Sequence, residues 1–211
     1  MIAGCGFYGK VPSEGDFVTR RLPWEFTAAW DDWLQQGMQA SRAALGERWL
    51  ECYLSAPIWR FHVAPGVCGP MGWRGLFFAS VDRVGRYFPL TLAFPDAGAP
   101  ALSALSGQAE AWRAVEDAAL AALAPTLAIA DFDAMMGVLA LPAGVPAVAI
   151  DAVAPRVCLY TGGSQDVAAL GMSFATLPPP ASFVELIAPA AAAGASASLI
   201  DVLSGDVAAP S

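Results

Sequence analysis

The sequence predicts an α/β protein, a mixed β-sheet flanked by helices, and three observations carry that expectation. Short runs rich in aromatic and branched residues recur at 2–8, 58–64, 76–80, 88–94 and 156–161, and 58–64 shows two-residue alternation. Segments with helical spacing lie between the first and second of these runs and between the fourth and fifth. Some strands therefore follow one another as hairpins and others are separated by helices, which is the signature of a mixed sheet with helical cover.

The elements follow in order. Residues 2–8 are apolar and aromatic and form a first strand. Residues 10–21 are polar, with Pro12, Gly15 and two adjacent arginines, and form a loop. Leu22-Pro23 starts a helix, since proline is tolerated in a first turn. Phe26, Trp30, Trp33, Leu34 and Gly37 then fall on one face, with Asp31, Asp32, Gln35, Gln36 and Gln39 opposite. That spacing makes the tryptophans a buried stripe. A second helical piece covers 41–53. In the strand 58–64, Trp59, Phe61 and Val63 point one way and Ile58, Arg60 and His62 the other, so one face belongs to the core. Residues 65–72 are a Gly/Pro loop, and 76–80 and 88–94 are strands, with Phe88, Leu90, Leu92 and Phe94 sharing a face. A long helix over 103–123 buries Trp112, Val115, Ala119 and Leu123. Shorter helices cover 131–139 and 181–186, and 156–161 is a late strand before a Gly-Gly-Ser turn.

At 211 residues the chain suits one domain with a substantial core, expected over 1–188. The remainder, 189–211, is rich in Ala, Ser, Gly and Pro and reads as a tail. Charged residues make up 14%, and seven Trp and eleven Phe supply core material, so the chain is not of the disordered class.

The net charge of −8 is unevenly spread. Residues 1–90 carry nine Lys and Arg against eight Asp and Glu, and residues 91–211 carry two against eleven. An acidic chain repels phosphate backbones and anionic lipid, so neither nucleic acid nor a membrane surface is an expected partner. The charge-free stretches 134–150 and 167–184 are broken by prolines and do not supply the roughly 20 apolar residues of a membrane span.

Chemistry is sparsely equipped. Four scattered cysteines form no CxxC pair, and His62 is the only histidine, so no metal site is expected and reduced cytosolic thiols are. Gly4 to Gly9 spells GxGxxG, but only three residues precede it and Pro12 follows, which excludes a dinucleotide fingerprint. No GxSxG or GxxxxGK[ST] occurs. The carboxylate pairs Asp31/Asp32, Glu116/Asp117 and Asp131/Asp133 read as solvated helix faces. No cofactor and no enzymatic activity are expected.

Two polar groups stand out within the apolar first half. One is Lys10, Ser13, Asp16, Arg20 and Arg21; the other is Ser80, Asp82, Arg83 and Arg86. Both lie in loops, where a rigid sheet holds binding residues, and arginine favours interface hot spots. Lys10, Asp16, Arg20, Arg21, Asp82, Arg83 and Arg86 are the candidate partner-binding residues. The competing reading is that Asp16 and Asp82 pair with these arginines inside the domain.

The run Gly6-Phe7-Tyr8-Gly9-Lys10-Val11-Pro12-Ser13-Glu14-Gly15-Asp16-Phe17-Val18, with Arg20-Arg21-Leu22-Pro23, resembles the opening of the TagF (ImpM-like) proteins of bacterial type VI secretion. The likeness continues through Trp30-Asp31-Asp32-Trp33-Leu34, Ser55-Ala56-Pro57-Ile58-Trp59-Arg60-Phe61 and Pro65-Gly66-Val67-Cys68-Gly69-Pro70. It then takes in Ser80-Val81-Asp82-Arg83-Val84-Gly85-Arg86-Tyr87-Phe88-Pro89-Leu90. Beyond about residue 94 it loosens, and Leu159-Tyr160 stands where the family pattern is richer in aromatics. The resemblance implies a three-layer α/β/α sandwich. It also implies a cytoplasmic accessory protein that restrains secretion after translation by engaging the forkhead-associated scaffold protein of the system. Two other readings are a sensor of a small anionic ligand or phosphopeptide, and a structural subunit of the apparatus.

Overall fold

Residues 4–141, 155–164 and 167–189 are described by the computed structural model of the chain. Seven strands form one sheet: β1 (Gly6–Gly9), β2 (Val18–Arg20), β3 (Trp59–Val63), β4 (Trp73–Phe78), β5 (Leu90–Pro95), β6 (Val157–Thr161) and β7 (Leu170–Phe174). Their order is β2-β1-β5-β4-β3-β6-β7, and every neighbouring pair is antiparallel. The expected mixed sheet is thus corrected to an antiparallel one. Four of the six connections join adjacent strands directly. The other two are helical and deliver β3 and β6 in directions that oppose their neighbours.

The helices are α1 (Trp24–Leu45), α2 (Trp49–Leu54), α3 (Leu102–Ser106), α4 (Ala109–Leu120), α5 (Ile129–Val138) and α6 (Phe183–Ile187). Strand parity sorts the core into two clusters, because successive side chains leave a strand on opposite faces. Trp59, Phe61 and Val63 of β3 and Trp73 and Phe77 of β4 gather with side chains of α1, α2 and α6. Leu76 and Phe78 of β4 and Leu90, Leu92 and Phe94 of β5 gather with α3, α4 and α5.

The aromatic stripe of α1 lies where its spacing put it, with Phe26, Trp30, Trp33, Leu34 and Gly37 all buried. Trp30 packs on Phe61 and Trp33 at ring-centroid distances of 4.5 and 4.7 Å. Buried indoles usually place their N–H, although that of Trp73 has no partner among the described residues. Trp30 donates to Thr91 Oγ1 at 2.9 Å, Trp33 to the Pro178 carbonyl at 2.9 Å and Trp59 to the Leu186 carbonyl at 2.7 Å. Gly37 is in the stripe for space: a Cβ there would sit 2.3 Å from the Phe183 ring, so its absence lets α6 close on α1. All four cysteines are free and buried, and burial pushes the Cys5 and Cys68 thiols up to about 12.

Several boundaries differ from the sequence reading. Helix α1 runs on to Leu45 and stops at Gly46, whose φ of 54° and N–H bond to the Arg42 carbonyl form a left-handed stop. The expected helix 103–123 is broken at Gly107-Gln108, with Gln108 at φ 52°, so that Trp112 turns inward and donates to the Ala104 carbonyl. Leu123, expected in the seam, is 36% exposed. Phe88 packs in the cluster opposite to Leu90, because Pro89 precedes the strand and breaks the alternation. Strand β3 is buried on both faces, where one was expected. Residues 2–3 of the first predicted strand and 190–211 of the predicted tail lie outside the described residues. Among the described residues no helix is long and apolar enough to cross a membrane.

These contacts rank two tryptophans of one helix oppositely. Replacing fully buried Trp30 by Ala is expected to lower stability by about 3–5 kcal/mol in urea denaturation. Replacing Trp24, which is 78% exposed, is expected to change it by no more than about 0.5 kcal/mol.

Candidate functional site

Two loops meet at the end of β1: residues 10–17 between β1 and β2, and residues 79–89 between β4 and β5. The second loop is folded on itself by a bridge between Val81 and Tyr87 and by Phe88 N donating to the Ser80 carbonyl at 3.1 Å. Tyr53 of α2 anchors it, donating its hydroxyl to the Ser80 carbonyl at 2.9 Å and accepting the Ser80 N–H at 3.0 Å. Ser80 Oγ in turn donates to the Lys10 carbonyl at 2.7 Å, which joins the loops.

Asp82 is the centre of the junction. Its Oδ2 accepts Lys10 Nζ at 2.6 Å and Arg86 Nε at 2.7 Å. Its Oδ1 accepts the backbone N–H groups of Val84 at 3.0 Å and Arg86 at 2.9 Å. Lys10 and Asp82 are both buried. Burial pushes the Asp82 carboxyl upward. The hydrogen bonds from Lys10, from the Arg86 N–H, from the Arg86 guanidinium and from the Val84 N–H outweigh that and hold it well below the ordinary carboxylate range. Arg86 Nη2 donates to the Gly15 carbonyl, and Arg83 N donates to the Glu14 carbonyl at 2.8 Å. A Cβ at Gly15 would stand 3.2 Å from Arg83 Nη2, so glycine leaves room for that guanidinium.

The seven candidate residues do not form one cluster. Lys10, Asp82, Arg83 and Arg86 come together, with Asp16 beside them, exposed and accepting the Phe17 N–H at 2.9 Å. Arg20 and Arg21 turn instead toward α5. Arg21 donates to the Cys5 carbonyl at 2.9 Å and to Asp133 Oδ1 at 2.5 Å, and Arg20 Nε lies 3.8 Å from Asp133 Oδ2. Arg21 holds a left-handed φ of 54° while doing so. Internal pairing therefore describes Asp82 and not Asp16.

Carboxylates assigned to solvated faces have partners elsewhere in the fold. Asp133 receives both arginines, Asp31 accepts the Tyr8 hydroxyl at 2.5 Å, and Glu116 accepts Arg60 Nε at 2.7 Å. Sequence reasoning also missed a polar layer under α4. Arg60 lies 5.0 Å from the Trp112 ring, and Arg74, on the next strand, 6.0 Å from it. Arg74 Nε pairs with Asp96 at 2.8 Å. His62 is fully buried beside them, and burial, joined by Arg74, lowers its pKa against the pull of Asp96. The alternation of Arg60 and His62 was the available signal. Among the described residues no group of three or more His, Cys, Asp or Glu could hold a metal ion.

Residues 6–139, which contain both loops, match the family described as TagF N-terminal domain, type VI secretion system-associated. The chain belongs to the TagF family. A crystal structure of PA0076 from Pseudomonas aeruginosa PAO1 is similar to this TagF-family chain, with a TM-score of 0.77 and 33% identity. The match covers 87% of this chain and 93% of that one. No curated protein matches the sequence. The chain is thus associated with type VI secretion.

The Asp82 arrangement has a defined pH signature. A carboxyl held below its ordinary value of 3.8 stabilises the fold above that pH, and the contribution is lost as pH falls through the depressed folded value. Asp82→Asn is therefore expected to lower the thermal midpoint at pH 7. Its gap from wild type should narrow as melts are taken below pH 3.8.

Proposed function

We propose that this TagF-family chain is a non-catalytic, cytoplasmic accessory protein that represses type VI secretion after translation by binding the forkhead-associated scaffold protein of the system. The supporting observation is the Asp82 junction. It locks two loops of the family-matched region together and leaves Arg83 and Asp16 at the surface. Interfaces gain from such preorganisation, because less freedom is lost on association. Lys10 and Arg86 serve by holding the loops, and Arg20 and Arg21 hold α5 close to β1. The fold reading is the three-layer α/β/α sandwich, supported by two hydrophobic clusters that join different helices to opposite strand parities.

The test is capture from the chain's own bacterium, comparing wild type with Arg83→Ala/Arg86→Ala. Wild type is expected to retain the forkhead-associated scaffold and the folded double variant to lose it. Equal capture by both would make those arginines structural and leave the function standing. Capture of no secretion component, with a thermal shift on adding nucleotide or phosphopeptide, would transfer the proposal to an anionic-ligand sensor.

A further inference from the structure

Four carboxylates fixed within the fold, Asp82, Asp96, Glu116 and Asp133, each meet a lysine or arginine of the same chain. Asp31 on α1 is held in place without one. Its Oδ1 accepts the Tyr8 hydroxyl at 2.5 Å and its Oδ2 the Gln35 amide at 2.6 Å, and both donors are neutral. Burial, then the neighbouring carboxylate, pushes the Tyr8 hydroxyl pKa upward, which keeps its proton in the bond to Asp31. All eleven lysines and arginines of the chain fall among the described residues, and none comes within 4 Å of the Asp31 carboxylate. A carboxylate offers about four acceptor positions, so two of them remain for a donor from outside.

Asp31 lines a groove of about 340 Å³ at the β2 end of the sheet. Tyr8 and Thr19 stand opposite each other across β1 and β2 and supply its sheet side. Trp24, Ala28 and Asp31, spaced four and then three apart, supply the α1 side as one stripe, and Leu22 lines it just before the helix. Trp24 is 78% exposed, so its indole is available to a visitor. An indole and an unbalanced carboxylate each attract a cation, and the apolar Leu22 and Ala28 suit an aliphatic stem. A second groove, beside Arg60 and Glu116, lacks this imbalance, because those two charges already pair at 2.7 Å. The first groove also adjoins an edge: β2 is the end strand and has a strand partner on one side only among the described residues. An extended peptide beside the groove therefore finds backbone groups to bond.

We infer that this groove receives an arginine or lysine side chain presented by a protein partner, with Asp31 pairing its charge and Trp24 covering its stem. The inference goes beyond the repressor reading and does not depend on which protein supplies that side chain.

NMR titration of the isotope-labelled full chain with blocked tripeptides tests this. The probes are acetyl-glycyl-arginyl-glycine amide, its lysine counterpart, and its citrulline counterpart, which is neutral and nearly the same shape. The arginine and lysine peptides are expected to shift the backbone amides of Thr19 and Asp31 and the Trp24 indole N–H with a millimolar Kd, and the citrulline peptide to bind about tenfold more weakly or worse. Asp31→Asn, which keeps an acceptor for Tyr8, is expected to raise the Kd of the arginine peptide about tenfold, and Trp24→Ala about threefold. Equal binding of the citrulline peptide, or an arginine-peptide Kd unchanged in Asp31→Asn, would overturn the inference. Absence of these shifts with every peptide at millimolar concentration would do the same. Binding of ethylammonium as tight as that of the peptides would make the groove a small-cation site instead. The same shifts on concentrating the chain alone would assign it to a second copy. Each of these results leaves the repressor reading to its own capture test.

Discussion

The carboxylate of Asp82 serves a lysine, an arginine and two backbone amides at once, and the ordered state of two loops follows from it. Burying a lysine and an aspartate costs several kcal/mol per ion before their attraction is counted, so the pair is favourable only if every remaining donor and acceptor is occupied. Here both oxygens of Asp82 are engaged, Oδ2 by Lys10 and Arg86 and Oδ1 by two backbone N–H groups, and the Lys10 ammonium also lies 4.9 Å from the centre of the Phe17 ring. Removing one partner of such a pair leaves the other charge buried and uncompensated. The pair ties together segments 72 residues apart in the chain.

One link between the junction and the core is the side chain of Tyr53. Tyr53 stacks on Trp49 within the first hydrophobic cluster while its hydroxyl clasps both backbone groups of Ser80. Helix α2 is only a turn and a half long and would be marginal alone. Its packing against α1 and the sheet gives it a fixed place, and through Tyr53 it passes that place to the loop. The polar layer on the other face works differently. Arg60 and Arg74 flank Trp112, so two cations are buried against an aromatic ring and answered by Glu116 and Asp96.

Local pattern carried the long elements. The stripe of α1 and the alternation of β3 were legible because a helical or strand period repeats several times within each. Strands β2 and β7 were not legible: the first has three residues, and the second, Leu170–Phe174, interrupts its apolar run with glycine and serine. The two site loops were legible as polar clusters between apolar strands. Which charges meet was not, because Arg21 and Asp133 are 112 residues apart and Arg60 and Glu116 are 56 apart. Pairing at that separation is decided by how sheet and helices stack. Helix-face periodicity alone therefore assigned Glu116 and Asp133 to solvent.

The sealed thiols give the fold a set of internal clocks. Cys5 and Cys158 belong to the cluster under α3, α4 and α5, whereas Cys68 belongs to the one under α1, α2 and α6. A thiol reagent can reach any of them only when the covering layer lifts, and the raised pKa values of Cys5 and Cys68 keep both thiols protonated until it does. The rate at which each cysteine is modified in native buffer is then a separate reading of how often each side of the sheet opens.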